Sequence, residues 1–444
     1  MESIHQCWAK SRVFRVILIA ACVYFALRLT VHIYMAIERM LPGQTATQVI
    51  PNDMQDYLEA ATRLAAHQPL YSFPSDYSKY YQYPPVFALA MRPLLALPQD
   101  IDFSLNFILR LAAFALLYLC WGRIFRRAKM RRAEELWAQT LPVWLVFSAF
   151  WSDLVYMNIY IIVALFITLL LNAMLSENLF LSVLWLSLLL QTKPFWAVVA
   201  LLPLLLGRGK FFLKLAAAGL VVNLLAIGGF LLAVGPAYGW QQHVDYIRFL
   251  LALDQHYPWR TLADGFLGYN HSIMQIVVFL LGTTPAAFAL AVFIKLLLLV
   301  PLAVVCVKSL LRPARQPGYA VPGLALGLAL ALYLGVAIWL DALWEISLGC
   351  AIFICLLAWL DQDRPARVIL WAVFMPYVFI DLLQIVGYGV LGNADMINGG
   401  DYLAADFSIY IPIVMIVVLV FYFQVVRQVW KSLPGSGQAA PAGR

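Results

Sequence analysis

The sequence predicts an all-α polytopic membrane protein, and three observations lead to this fold class. First, 64% of the 444 residues are hydrophobic and 12% are charged, whereas a soluble domain carries about 25% charged residues. Second, apolar runs of about 20 residues, the length that crosses a bilayer as a helix, recur along the chain. Third, the basic residues form short clusters between these runs, which is a signal of membrane topology. Because the basic residues lie in these clusters, the net charge of +7 does not indicate a nucleic-acid partner. The predicted partner is the lipid bilayer.

The apolar runs predict about twelve membrane-crossing helices of about 20 residues each. The basic stretch 1–15 precedes the first run and is followed by no small-residue cleavage site, so we interpret it as part of a retained signal anchor. The count of crossings assumes that two short runs do not fully cross: 84–97, a candidate reentrant segment or half-span, and 273–281. In chain order the runs are 12–34, 84–97, 105–124, 137–150, 154–175, 179–190, 195–206, 215–234, 273–281, 286–305, 321–340, 343–360, 368–391 and 409–426.

The distribution of Lys and Arg predicts the topology. Placing every basic cluster on the cytoplasmic side puts both termini in the cytoplasm of a multi-pass protein of the cell inner (plasma) membrane. Three polar loops, 37–83, 235–272 and 392–406, then lie on the extracytoplasmic side. Residues 1–431 form one integral membrane domain, and 432–444 are expected to be a flexible cytoplasmic tail. The sequence shows no internal repeat, which counts against transporter folds built from inverted repeats.

The unusual polar residues gather on the predicted extracytoplasmic face. Ionisable groups at or within a membrane are costly and by default mark a functional cavity. A carboxylate can act there as a general base toward an acceptor hydroxyl, tyrosine rings suit sugars, and Lys or Arg suits a phosphate. These residue types predict transfer of a polar group from a lipid-phosphate carrier, and no GxGxxG or phosphate-binding glycine loop indicates a nucleotide. The residues are Asp53, Asp56, Asp153, Asn158, Lys193, Arg248, Arg260, Asn270, His271, Asp341 and Glu345.

Several short motifs follow an order that is typical of one family. The motifs are Asp53-Met54-Gln55-Asp56-Tyr57, Pro69-Leu70-Tyr71, Tyr83-Pro84-Pro85, Gln191-Thr192-Lys193-Pro194 and Asn270-His271-Ser272. This order resembles glycosyltransferase family 87, a group of GT-C membrane enzymes that includes polyprenyl-phosphate-mannose-dependent mannosyltransferases. Asp53 matches the catalytic-base aspartate of the family, because Tyr57 follows it by four residues, a relation that Asp56 lacks.

The resemblance implies a GT-C fold with short extracytoplasmic juxtamembrane helices, and an inverting transfer. A single sugar (mannose, another hexose or arabinofuranose) would move from a polyprenyl-phosphate donor to an extracytoplasmic hydroxyl of a glycolipid, glycan or protein. Asp53 would be the general base. No cofactor is expected, because a donor with one phosphate has little charge to neutralise, although two aspartates this close could hold a divalent metal. Substrate contacts are expected from Asp56, Tyr57, Tyr83, Lys193, Arg248, Arg260, Asn270, His271 and Glu345.

Other interpretations of these residues remain open from the sequence. Asp53 could cap a helix, the tyrosines could form a belt at the membrane interface, and Lys193 could extend to that interface. A transporter or lipid-linked-sugar flippase would share the charges within the membrane. An inactive accessory subunit of the same fold is also compatible, because Glu345 lies where the family has a histidine near the donor phosphate.

Overall fold

A computed structural model describes residues 2–39, 52–71, 81–264, 267–268, 270–311, 322–360, 364–380 and 412–433 of the chain. Throughout these ranges the regular secondary structure is helical, which confirms the predicted all-α class. The third predicted loop, 392–406, lies outside the described residues, as does all but the first part of the predicted tail, 432–444.

Long and short helices alternate along the chain. The first half contains α1 (Glu2–Lys10), α2 (Arg12–Arg39), α3 (Asn52–Ala65), α4 (Pro85–Met91), α5 (Gln99–Arg127), α6 (Arg131–Gln139), α7 (Leu141–Leu145), α8 (Ser148–Tyr156), α9 (Tyr160–Leu175) and α10 (Leu179–Thr192). The second half contains α11 (Leu202–Leu205), α12 (Gly209–Val234), α13 (Pro236–Leu251), α14 (Leu253–His256), α15 (Ile273–Leu281), α16 (Pro285–Leu310), α17 (Pro322–Trp339), α18 (Ala351–Leu360), α19 (Arg364–Val378) and α20 (Ile413–Ser432). Short 3-10 segments lie at Arg92–Ala96, Pro194–Leu201, Leu262–Asp264 and Glu345–Ser347.

Five helices in the described ranges are long and apolar enough to cross a membrane. They are Arg12–Tyr34 within α2, and the helices α5, α12, α16 and α20; a bent pair, Leu141–Tyr156 with α9, raises the count to six if it is one span. Between 11% and 50% of the residues in the apolar windows of the five helices are buried, so many of their apolar side chains face outward, where acyl chains would cover them. The chain is thus a multi-pass membrane protein, and the total of about twelve crossings stays a prediction.

Three apolar runs that the sequence treats as continuous are broken in the structure; one of them, 343–360, is α-helical only from residue 351. The run 137–150 is divided among α6, α7 and α8, because Pro142 lies in the first turn of α7 and cannot continue the preceding helix. The run 154–175 is broken where Met157 takes a left-handed conformation with φ of 53°, and the chain bends there by 118°. The short runs 84–97 and 273–281 contain only α4 with its 3-10 turn and α15, and both are too short to cross a bilayer.

The first and second predicted loops carry helices and pack on each other. The first loop contains α3, and the second contains α13 and α14. From α13, Gln242 Oε1 accepts the backbone N–H of Leu70 at 2.8 Å. The Tyr238 hydroxyl of the same helix donates to the carbonyl of Gln68 at 2.6 Å. These bonds hold the chain that follows α3 against the second loop.

Candidate active site

The candidate site begins at α3, which is amphipathic. Asp53 and Asp56 lie beside its buried face and are partly buried themselves. Apolar positions at helical spacing form that buried face. They are Met54, Tyr57, Ala60, Ala61 and Leu64, none more than 2% exposed.

Asp53 directs its carboxylate toward the break between α8 and α9. Its Oδ2 accepts a hydrogen bond from Asn158 Nδ2 at 2.7 Å, whereas no residue in the described ranges donates to its Oδ1. The bond comes from Asn158 and not from a backbone N–H of α3, which argues against the helix-cap interpretation. A carboxylate with one oxygen held and the other open is suited to accept a proton.

Arg110 of α5 stabilises the turn in which Asn158 lies. Arg110 is 1% exposed and donates from Nε to the Asn158 carbonyl at 2.6 Å and from Nη2 to the Met157 carbonyl. Its Nη1 donates to the carbonyl and the side-chain oxygen of Asn106, at 3.0 and 3.1 Å. The planar guanidinium thus donates hydrogen bonds to backbone carbonyls that, among the described residues, have no backbone N–H partner where α8 ends.

Tyrosines of the first loop form a buried cluster beside the carboxylate. The hydroxyls of Tyr57 and Tyr83 share a hydrogen bond of 2.8 Å, and the Tyr83 hydroxyl donates to Asn158 Oδ1 at 3.4 Å. The Tyr71 hydroxyl donates to the Tyr83 carbonyl at 2.5 Å. None of these tyrosines is more than 8% exposed, so they belong to the core and do not form a belt at the membrane interface.

Lys193 brings a positive charge to this cluster. It follows the last residue of α10 and is 8% exposed. Its Nζ lies 4.1 Å from the centroid of the Tyr83 ring and 5.0 Å from that of the Tyr160 ring, which argues against an extension to the membrane interface. In the described part of the chain Lys193 forms no ion pair, although its charge acts on Asp53.

The two aspartates of α3 differ in protonation. Burial raises the pKa of Asp53 to about 6, and the Asn158 hydrogen bond and the charge of Lys193 limit that rise. Burial, followed by the charges of Asp53 and Glu59, raises the pKa of Asp56 to about 8. At neutral pH Asp53 is therefore mostly a carboxylate, whereas Asp56 is mostly a neutral acid. Only Asp53 is in the form that accepts a proton.

Asn270 and His271 belong to a second assembly, formed by residues 270–272 and 341–343, which we name the loop clasp. Asn270 Nδ2 donates to the Asp341 carbonyl at 2.8 Å, and its Oδ1 accepts the backbone N–H groups of Ser272 and Leu343, both at 3.0 Å. The His271 N–H donates to the Leu343 carbonyl at 2.7 Å. Burial lowers the pKa of His271 to about 3, so its ring is neutral.

Lys295, within the candidate span α16, anchors the loop clasp. Its Nζ forms an ion pair with Asp341 and donates to the Trp339 carbonyl at 3.0 Å. Trp344 directly follows the clasp and packs against Tyr160 with ring centroids 6.2 Å apart. Since Tyr160 also contacts the Lys193 ammonium, the clasp adjoins the cluster around Lys193.

Comparison with known protein families identifies the family of this chain. The model of Glycosyltransferase family 87 matches residues 81–332, which is more than half of the chain. The chain belongs to glycosyltransferase family 87. No curated protein and no solved structure matches this family 87 protein. The matched stretch includes Tyr83, Asn158 and Lys193, whereas Asp53 precedes it.

Two other predicted site residues of the family 87 protein, Arg248 and Arg260, pair with carboxylates outside this cluster. Arg248 pairs with Asp245 at 3.4 Å and has 69% of its side chain exposed. Arg260 pairs with Asp264 at 3.6 Å and has 43% exposed. Neither arginine bonds to Asp53 or Lys193, and the side chain of Glu345 lies outside the described residues. Their contacts with substrate stay predictions.

Two buried basic residues of this family 87 protein, Arg110 and Lys295, belong to none of the sequence motifs, and the sequence assigns no role to Asn158. Arg110 and Lys295 each interrupt an otherwise apolar stretch of a candidate span. An isolated basic residue within a membrane span is costly and needs partners. That signal was present in the sequence, but the partners, carbonyls of the α8–α9 turn and Asp341, were not predictable from it.

Proposed function

We propose that this family 87 glycosyltransferase moves a single sugar from a polyprenyl-phosphate donor to an acceptor hydroxyl, with inversion at the anomeric carbon. One observation carries the proposal: among the residues that the structure describes, a carboxylate with an open oxygen and a lysine without a carboxylate partner meet at one aromatic cluster. The sugar is mannose, another hexose or arabinofuranose. The acceptor is a glycolipid, a glycan or a protein.

The proposal includes the membrane arrangement that the positive-inside pattern predicts. The chain would have a GT-C fold with about twelve crossings of about 20 residues each. The site would face the extracytoplasmic side of the inner membrane, with both termini in the cytoplasm. In this arrangement α3 and α13 are the juxtamembrane helices.

The transfer needs one proton acceptor and one group that stabilises the leaving phosphate. The acceptor oxygen bonds to the anomeric carbon while its proton moves to the Asp53 carboxylate. On the opposite face of the sugar, the bond between the anomeric carbon and the phosphate oxygen breaks, and its electron pair leaves with the phosphate. The ammonium of Lys193 neutralises the polyprenyl phosphate in a buried setting, where charge attraction is stronger than in water.

The proposed step uses no metal. Asp56 is mostly neutral at pH 7, so it can donate a hydrogen bond to a sugar hydroxyl. A donor with one phosphate presents one group to neutralise, and Lys193 is placed for it.

The test is the Asp53→Asn variant in liposomes, with radiolabelled polyprenyl-phosphate mannose or arabinofuranose as donor and a membrane lipid extract as acceptor. Loss of a general base lowers the rate by about 10²- to 10⁴-fold, and the transfer rate should fall accordingly. Asp100→Asn is the matched control, because it makes the same substitution at an exposed aspartate in the first turn of α5. This control should keep the wild-type rate.

Three outcomes would contradict the proposal. Full transfer by Asp53→Asn would exclude Asp53 as the base. Movement of the donor across the bilayer without a new glycosidic bond would favour the flippase. Absence of transfer by the wild-type protein, together with loss of a partner protein when the chain is deleted, would favour the accessory subunit.

A further inference from the structure

Asn158 is the hydrogen-bond partner of Asp53 within the described ranges, and its amide can adopt only one orientation. Asn158 Oδ1 accepts the backbone N–H of Ile159 at 2.7 Å. A backbone N–H can only donate, so the amide oxygen faces Ile159 and the NH2 group faces Asp53. The Tyr83 hydroxyl donates to the same oxygen at 3.4 Å.

The backbone around Asn158 is held from both sides. Arg110 donates to the carbonyls of Met157 and Asn158. On the other side, Asp153 Oδ1 accepts the backbone N–H of Tyr160 at 2.9 Å. Asp153 and Arg110 are at most 1% exposed, so water does not compete for these bonds. The position of the Asn158 side chain is therefore set by the turn and does not depend on a bound substrate.

From this geometry we infer that Asn158 is a positioning residue, which holds Oδ2 of Asp53 and leaves Oδ1 as the oxygen that takes the proton from the acceptor. The inference rests on the proposed function, because it names the working atom of the proposed base. A neutral donor bonds more strongly to a carboxylate than to a carboxylic acid. The amide therefore favours the proton-accepting form of Asp53 while it restricts rotation of the carboxylate. Arg110 acts on the base only through Asn158 and the turn.

Other titratable and charged groups act on Asp53 from every element packed around it. They are Asp56 and Tyr57 of α3, Tyr83 before α4, Arg110 of α5, Asp153 of α8, Tyr160 of α9 and Lys193 after α10. All of them remain in a variant at Asn158. A change in the pH profile of that variant therefore reports the lost amide bond.

The experiment compares Asn158→Leu, which has nearly the same shape but cannot donate, with Asn158→Gln, which keeps the amide. The readout is kcat and KM against pH, with polyprenyl-phosphate mannose as donor. In the wild type kcat should fall as the pH is lowered, with a midpoint at about 6, the pKa of Asp53. We call this part of the pH profile the acid limb. In Asn158→Leu this limb should move up by about one pH unit, and kcat should fall at least about tenfold. The donor KM should change less, because Lys193 is untouched, and Asn158→Gln should restore part of both losses.

Asn106→Leu is the matched control for general damage. Asn106 binds the same Arg110 guanidinium but does not bond to Asp53. Its loss should lower the midpoint of thermal unfolding and leave the acid limb in place. An equal shift of the acid limb in Asn106→Leu and Asn158→Leu would overturn the inference, as would a wild-type acid limb in Asn158→Leu.

A second measurement does not depend on turnover. Infrared titration of the Asp53 carboxyl, identified by its loss in Asp53→Asn, should show a higher pKa in Asn158→Leu. If Asn158→Leu does not fold, Asn158→Ser serves, because its hydroxyl is too short to reach Asp53. If the wild-type protein transfers no sugar but the pKa of the Asp53 carboxyl is still higher in Asn158→Leu, the positioning role is supported and only the proposed function is rejected. An unchanged carboxyl titration in a folded Asn158→Leu or Asn158→Ser variant would reject the positioning role.

Discussion

Asp53 and Asp56 lie one turn apart on α3, yet their neighbours make one of them charged and the other neutral. Burial raises the pKa of both. For Asp53, a hydrogen bond from Asn158 and the charge of Lys193 oppose that rise, whereas for Asp56 the charges of Asp53 and Glu59 add to it. The resulting values of about 6 and about 8 give one carboxylate and one neutral acid near pH 7.

At the residue scale, Lys193 is predicted to act on both the donor and the base. Lys193→Met removes a charge-assisted contact to phosphate, which contributes about 1.5–3 kcal/mol, so the donor KM should rise at least about tenfold. The charge of Lys193 lowers the pKa of Asp53, so the variant should have a pKa above about 6. Activity should therefore be lost at a higher pH than in the wild type as the pH falls. Steady-state kinetics between about pH 5 and pH 8 measure both effects.

Two variants control this prediction. Lys193→Arg keeps the positive charge and should keep the acid limb close to that of the wild type. Lys210→Met removes an exposed lysine at the start of α12 and should leave both the KM and the limb unchanged. A wild-type donor KM in Lys193→Met would exclude Lys193 from the phosphate site.

At the element scale, interruptions of helices place the polar groups of the site. Asn158 lies in the turn between α8 and α9, and Lys193 lies where α10 gives way to the 3-10 segment Pro194–Leu201. A residue at a helix end can direct both its backbone and its side chain away from the helix, because the ladder of backbone bonds stops there. Arg110 bonds to the carbonyls left at the first interruption.

The packing of α5 on α6 leads to a prediction about stability that is separate from the site. A Cβ added at Gly122 would lie 2.6 Å from Cζ2 of Trp137. The indole is held in place, because its Nε1 donates to the Tyr118 carbonyl at 3.0 Å. Gly122→Ala should therefore lower the free energy of unfolding by about 1–3 kcal/mol. Thermal unfolding in detergent measures the loss, and the transfer rate per folded molecule should be unchanged.

Gly228→Ala in α12 is the matched control. A Cβ at Gly228 would meet no atom within 4 Å, and Ala is the better helix former by about 1 kcal/mol. This variant should unfold at the same temperature as the wild type or higher. Equal destabilisation by both substitutions would contradict the packing argument.

At the scale of the whole molecule, the loop clasp joins segments that are far apart in sequence. It connects the end of the second loop to the chain after α17, and Lys295 ties both to α16. Trp344 extends this assembly to Tyr160 beside Lys193. The position of one wall of the candidate site therefore depends on contacts among three separate parts of the chain.

Asn270→Ala tests this dependence. The substitution leaves the N–H groups of Ser272 and Leu343 without their acceptor, and a buried unsatisfied group costs about 1–3 kcal/mol. Stability should fall by about 2 kcal/mol or more, and kcat should fall more than the donor affinity, because Trp344 loses its support. Thermal unfolding and steady-state kinetics measure these effects.

The comparison for this variant is Asn178→Ala, which removes the side-chain cap of α10. It should cost about 1 kcal/mol and leave kcat unchanged. A large rise in donor KM with unchanged kcat in Asn270→Ala would instead indicate the direct donor contact that the family resemblance implies.

The sequence by itself determined the all-helical membrane class and the family, and it predicted the short segments at 84–97 and 273–281 and the choice of Asp53 over Asp56 as the base. These follow from hydrophobic run length and local spacing, which are properties of the chain alone. Only the tertiary structure decided that Asn158 bonds to Asp53 from 105 residues away, that Arg110 holds the turn, and that Asn270 bonds to the chain after α17. Hydrogen bonds and burial depend on which elements meet. The pKa of Asp53, and with it the capacity to act as a base, is therefore a property of the assembled fold.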